Sequence, residues 1–151
     1  MSAVRLVSAM IALLATVQQS NADVFKDWIV GFGQGWLEHT TRNGPGNTFT
    51  ISCDIGGNGY GAKIFVEIEG RDPPPNSMGR VFIDGDEAQI TFDEYSNGVT
   101  DCSACAANFV YIWQKARLGQ QMIVLFEDGR ASKFSLKGAS KALSKEPCTP
   151  G

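Results

Sequence analysis

"RVFIDGDEAQITFDE", Arg80 to Glu94, is the stretch from which the fold class is read. Two arms rich in apolar and β-branched residues flank Asp84-Gly85. An Asp-Gly pair supplies the two positive-φ positions of a type I′ turn, whose twist matches that of the strands it joins. A hairpin follows. Working outward, "QQMIVLFEDGRASKFSLKG", Gln120 to Gly138, repeats the pattern with its turn at Asp128-Gly129. "TFTISCDI", Thr48 to Ile55, alternates apolar and polar with period two, the mark of a half-buried strand, and "AKIFVEIEG" forms the next. "DVFKDWIVGFGQGWL", Asp23 to Leu37, reads as one irregular first strand, and "TTRNGPGN" and "GGNGYG" as turns.

Between the hairpins the period changes. In "SACAANFVYIWQKARLG", Ser103 to Gly119, residues Phe109, Ile112, Trp113 and Ala116 fall at i, i+3, i+4 and i+7, one face of a helix, with Gly119 as its stop. "ASKALSKEPC" offers one short C-terminal helix. The expected architecture is mostly β or α+β: a single antiparallel, hairpin-built, sandwich-like or barrel-like domain with one helix around 103–119.

Compartment is read from the start of the chain. One basic residue, Arg5, precedes an apolar run from Val7 to Val17, closed by the small and polar "QQSNA". This is the layout of a secretory signal peptide, and the run is well short of the roughly 20 residues of a spanning helix. We expect residues 1–22 to be removed and 23–151 to form the domain, in the periplasm or secreted. Without Arg5, 12 Lys+Arg face 16 Asp+Glu, a net charge of −4. No basic stripe remains to neutralise phosphates, which disfavours nucleic acid, and charge-driven attachment to anionic lipid is disfavoured as well.

Cys53, Cys102, Cys105 and Cys148 make an even number in an exported chain, which points to bridges. Three pairings exist; we favour Cys102–Cys105 with Cys53–Cys148. Cys102 and Cys105 stand where helix dipoles would lower a thiolate's pKa. Asp101 works against that, and the surrounding hairpins lack the βαβ context of a thioredoxin-like CxxC. An inert bridge is the favoured reading, thiol–disulfide exchange the enzymatic alternative. A Cys₄ zinc site would require two close-spaced pairs where only one exists, so neither a metal nor another cofactor is expected.

Other chemistry is weaker. His39 in "WLEHTT" has no nucleophile motif beside it and reads as a surface or rim residue. Asp84, Asp86, Glu87, Asp93 and Glu94 read as solvated acids at turns and strand ends, and "DGDEAQITFDE" lacks the EF-hand register. "GGNGYG" precedes a strand, so it has no helix N-terminus to receive a phosphate. Trp28, Trp36 and Tyr60 lie in glycine-rich, irregular segments and form a candidate binding surface, with core closure as the alternative. Pro73, Pro74 and Pro75 in "RDPPPNSMG" stiffen a loop over 71–79 that an inhibitor or immunity protein would insert into a partner.

Several pieces taken together resemble the invasion-associated locus B proteins, small exported proteins of Gram-negative bacteria. They are Asp27-Trp28, "VFIDG" at Val81 to Gly85, Cys102 with Cys105-Ala106, "ARLGQQMIVLFED" at Ala116 to Asp128, and "FSLKGASKAL" at Phe134 to Leu143. The resemblance implies a β-rich periplasmic or secreted domain without catalytic residues, linked to host-cell interaction. The expected function is therefore non-enzymatic binding of a protein or envelope component.

Overall fold

The computed structural model describes residues 22–151; the expected leader lies outside the described residues except for Ala22. The hairpin at Asp84-Gly85 forms as read: Asp84 (φ 49°) and Gly85 (φ 98°) both take positive φ between β6 (Met78–Ile83) and β7 (Asp86–Thr91). β8 (Gln121–Phe126) pairs with the other side of β6, and β9 (Ala131–Ser135) with β8, giving an antiparallel sheet of order β7-β6-β8-β9.

The other sheet is an antiparallel meander, β1 (Ala22–Phe25), β2 (Trp28–Gly33), β3 (Trp36–Arg42), β4 (Thr48–Asp54) and β5 (Ala62–Glu67). Here the expectation of one irregular strand over 23–37 is corrected: the segment folds into two tight turns. Lys26 (φ 57°) opens the first, and Gln34-Gly35 (φ 52° and 86°) makes the second. Gln-Gly carries the same backbone demand as Asp-Gly, but only its glycine is a usual turn residue, so the signal is half as strong.

Alternation turns one face of each sheet inward. Phe49, Ile51 and Cys53 of β4, Ile64 and Val66 of β5, Val81 and Ile83 of β6, and Met122 and Val124 of β8 join one apolar core. Phe49 and Phe134 meet across the sheets with centroids 6.0 Å apart. The fold is therefore sandwich-like rather than a closed barrel. At one side the two sheets are joined through a single residue, Gly98, which exchanges backbone hydrogen bonds with Ile64 and also bridges Phe92. A Cβ at Gly98 would lie 2.8 Å from both Ile64 Cβ and Ile90 Cγ2, so only glycine permits the approach.

Helix α1 (Ser103–Leu118) packs on β6 and β7, burying Phe109, Ile112, Trp113 and Ala116, the face its periodicity marks. Lys115 and Arg117 sit in its last turn, where the C-terminal dipole favours cations. Gly119 stops the helix, but in extended backbone (φ −81°, ψ 175°). Its role is close packing: a Cβ there would meet Ile83 Cγ2 and Leu136 Cδ1 at 2.9 Å. The short α2 (Ala139–Ala142) follows β9 and packs on α1 and on β1 and β2.

Candidate functional site

Sequence alternation in β9 and beyond, "SKFSLK", points Ser132, Phe134 and Leu136 into the core, and Lys133, Ser135 and Lys137 away from it. Thr40 and Arg42 hold the corresponding outward positions on β3. Where β9 and the α1–β8 junction approach β2 and β3, these side chains line a cleft of about 1020 Å³. Two contacts set the approach: Trp28 Nε1 (3.2 Å) and Thr41 Oγ1 (3.3 Å) both donate to the Ser135 carbonyl, tying the sheets together behind the cleft.

Arg42, Lys133 and Lys137 project into this cleft, and among the described residues none of them is in an ion pair. Asp27 and Asp84 are the acids in the wall. Asp84 is already engaged, because its two oxygens accept the backbone N–H groups of Gln120 (2.9 Å) and Gln121 (3.1 Å). A chain of net negative charge thus gathers three cations outside ion pairs, against two acids, at one opening, with Gln120, Ser135 and Asn43 as further hydrogen-bonding groups. Guanidinium and ammonium donors so placed suit an oxyanion such as phosphate or carboxylate.

The residues singled out from the sequence lie elsewhere. Trp28 is a correction: with 0% exposure it belongs to the core, because β2 turns it inward opposite buried Thr41. His39 is another. It is 3% exposed rather than at the surface, since Leu37, His39 and Thr41 share the inward register of β3. Its ring meets Trp113 of α1 edge-on, centroids 5.3 Å apart, and loss of water holds its pKa below the usual histidine range. Its Nδ1 is buried with no hydrogen-bond partner among the described residues.

Trp36 and Tyr60 do come together, stacked at 6.2 Å and 19°, with Tyr60 largely exposed. The loop that presents Tyr60 is organised by Asp54, whose carboxylate accepts from Tyr60 N, Gly56 N and Asn58 Nδ2. Those bonds, that from Tyr60 foremost, lower its pKa. Asx-type bonding of this kind is what the "DIGGNGY" stretch encodes.

The proline loop is held down along its length. Pro73 is buried, which corrects its placement on a free surface; Pro74 is half-buried and Pro75 exposed. Ser96 Oγ donates to Pro73 O (2.8 Å), and the Arg130 guanidinium donates to the carbonyls of Ile68, Arg71 and Asp72.

The four cysteines form two disulfides, Cys53–Cys148 and Cys102–Cys105, the favoured pairing. Among the described residues no three His, Cys, Asp or Glu side chains stand together as metal ligands, and no helix is long and apolar enough to cross a membrane.

A family model described as YfjT matches residues 26–143, well over half of the chain. The chain belongs to the YfjT family. The YfjT match runs from the β1–β2 turn to the end of α2 and so includes every residue lining the cleft and three of the four cysteines. Cys148, the distal anchor of the long disulfide, lies beyond the YfjT match. No curated protein and no solved structure matches the chain.

Proposed function

We propose that this YfjT-family chain is an exported binding protein of a Gram-negative envelope, and that its cleft holds an anionic group of an envelope or host-surface component. The observation that carries this reading is the concentration of Arg42, Lys133 and Lys137, none in an ion pair among the described residues, around one 1020 Å³ opening in an acidic protein. Such a local field raises the concentration of an anionic partner at the opening, and Arg supplies a fork matched to carboxylate and phosphate. Two disulfides and the signal-like start support export, as does the resemblance to invasion-associated locus B proteins.

Two measurements test it. Intact mass of the protein taken from its native cells, with and without thiol alkylation, should give a product lacking residues 1–22 and carrying no free thiol. An unprocessed product with four alkylated cysteines would overturn export. For the cleft, the probe is phosphorylated envelope polysaccharide, compared with the same material after chemical dephosphorylation. Changing Arg42, Lys133 and Lys137 to Gln should weaken binding by about tenfold or more, equivalent to about 1.4 kcal/mol. The wild type should bind the dephosphorylated material no better than the variant does. Equal binding by wild type and variant would reject the cleft as the contact.

A further inference from the structure

The two disulfides do different jobs. Cys53 is 1% exposed within the core, and its bond to Cys148 closes a loop with sequence separation 95, pinning the C-terminal tail to β4. Cys102–Cys105 closes a separation of 3 inside a turn that holds itself without sulfur, since Ala106 N donates to Cys102 O at 2.8 Å. The helix below is anchored through Phe109, Ile112, Trp113 and Ala116. Opening this small ring therefore leaves the fold intact.

The two sulfurs of the ring are also unequal. Cys102 is exposed and sits at the N-cap of α1, and its Sγ accepts from Cys105 N at 3.0 Å. Cys105, one turn in, is 8% exposed. No acidic side chain lies in the first turn of α1 to cancel the partial positive charge of its free N–H groups. Asp101 is the opposing charge nearby.

We propose that Cys102–Cys105 is a thiol–disulfide exchange site, with Cys102 as the sulfur open to attack and Cys105 as the resolving partner. A thiolate of a dithiol reductant attacks Cys102 Sγ, the sulfur–sulfur bond breaks, and Cys105 leaves as a thiolate that takes up a proton. The second thiol of the reductant then attacks the mixed disulfide. Cys102 is released as a thiolate that the Cys105 N–H and the helix N-terminus stabilise, and the reductant departs as its own disulfide. Two electrons pass to the protein, and the reverse sequence reoxidises it. This site stands apart from the cleft and does not depend on what the cleft binds.

The test uses the oxidised wild-type protein, equilibrated across ratios of reduced to oxidised dithiothreitol, quenched with iodoacetamide and mapped by mass. We expect Cys102 and Cys105 to be alkylated together at a ratio about tenfold or more below that which opens Cys53–Cys148, with an unchanged circular dichroism spectrum. In Cys105→Ser, Cys102 should form a mixed disulfide with an aromatic disulfide reagent about tenfold or more faster than Cys105 does in Cys102→Ser. Asp101→Asn should raise the Cys102 rate further. Reduction of both disulfides together with loss of the fold would overturn the proposal, as would equal reactivity of the two single-cysteine variants.

Discussion

His39 shows how much a single side chain's meaning depends on what is placed over it. It is the chain's only histidine, so between pH 5.5 and 7.5 its titration dominates the pH dependence that side chains give to stability. Burial against Trp113 lowers its pKa below the unfolded value near 6.5. The unfolded chain therefore binds more protons than the folded one in this window, and stability rises with pH. The His39 contribution is complete above the unfolded pKa and is lost as pH falls toward the folded one. We expect the wild-type Tm to be lower at pH 5.5 than at 7.5, and the difference to shrink in His39→Gln. Asp54, Asp86, Glu87 and Asp128, whose pKa values are held down by hydrogen bonds, lose their contributions only at lower pH and do not blur the window. The register that buries His39 was present in "WLEHTT" as period-two alternation with Leu37 and Thr41. A polar residue at such a position carries no mark of which face of its strand will be covered.

Among the elements, the segment between the two sheets shows the clearest division of labour. Its prolines forbid helix and strand, as read, but what orders it is Arg130, on the β8–β9 turn. That guanidinium donates to three carbonyls of the 68–72 stretch, pairs with Asp128 at 2.7 Å, and lies over the Phe126 ring. Its side chain is only 11% exposed, and of its bonds to carbonyls that to Ile68 is half-buried while those to Arg71 and Asp72 face solvent. Arg130→Ala should cost about 1–2 kcal/mol in urea unfolding. Arg130→Lys should recover less than half of that, because an ammonium cannot reproduce the planar fork. Both hairpins at Asp-Gly and the 103–119 helix were legible because each rests on short-range rules, a glycine at positive φ in the turn or a 3.6-residue period, although at Asp128-Gly129 only the glycine takes positive φ and the connection runs over four residues. The Gln34-Gly35 turn was not, since glycine alone also fits an irregular strand.

Across the whole molecule, the long disulfide and the approach of β9 to β3 are the features that hold distant parts together. In the chain-entropy view a bridge closing a loop of this length stabilises by about 4–5 kcal/mol. Cys148→Ser should lower stability by about 2–5 kcal/mol and make the tail beyond Pro147 more susceptible to protease, whereas Cys102→Ser should cost much less. Comparing the two variants by chemical denaturation checks the unequal roles. The mostly-β class and the number of cysteines available for bridging could be read from residues alone. Each depends on composition or a repeat period, both of which are local. The cleft, the covering of His39 and Trp28 and the sealing of the sheets at Gly98 could not. They arise only when Ser135 accepts from Trp28 and Thr41, and Ile64 from Gly98, contacts between residues dozens of positions apart whose pairing no short-range pattern encodes.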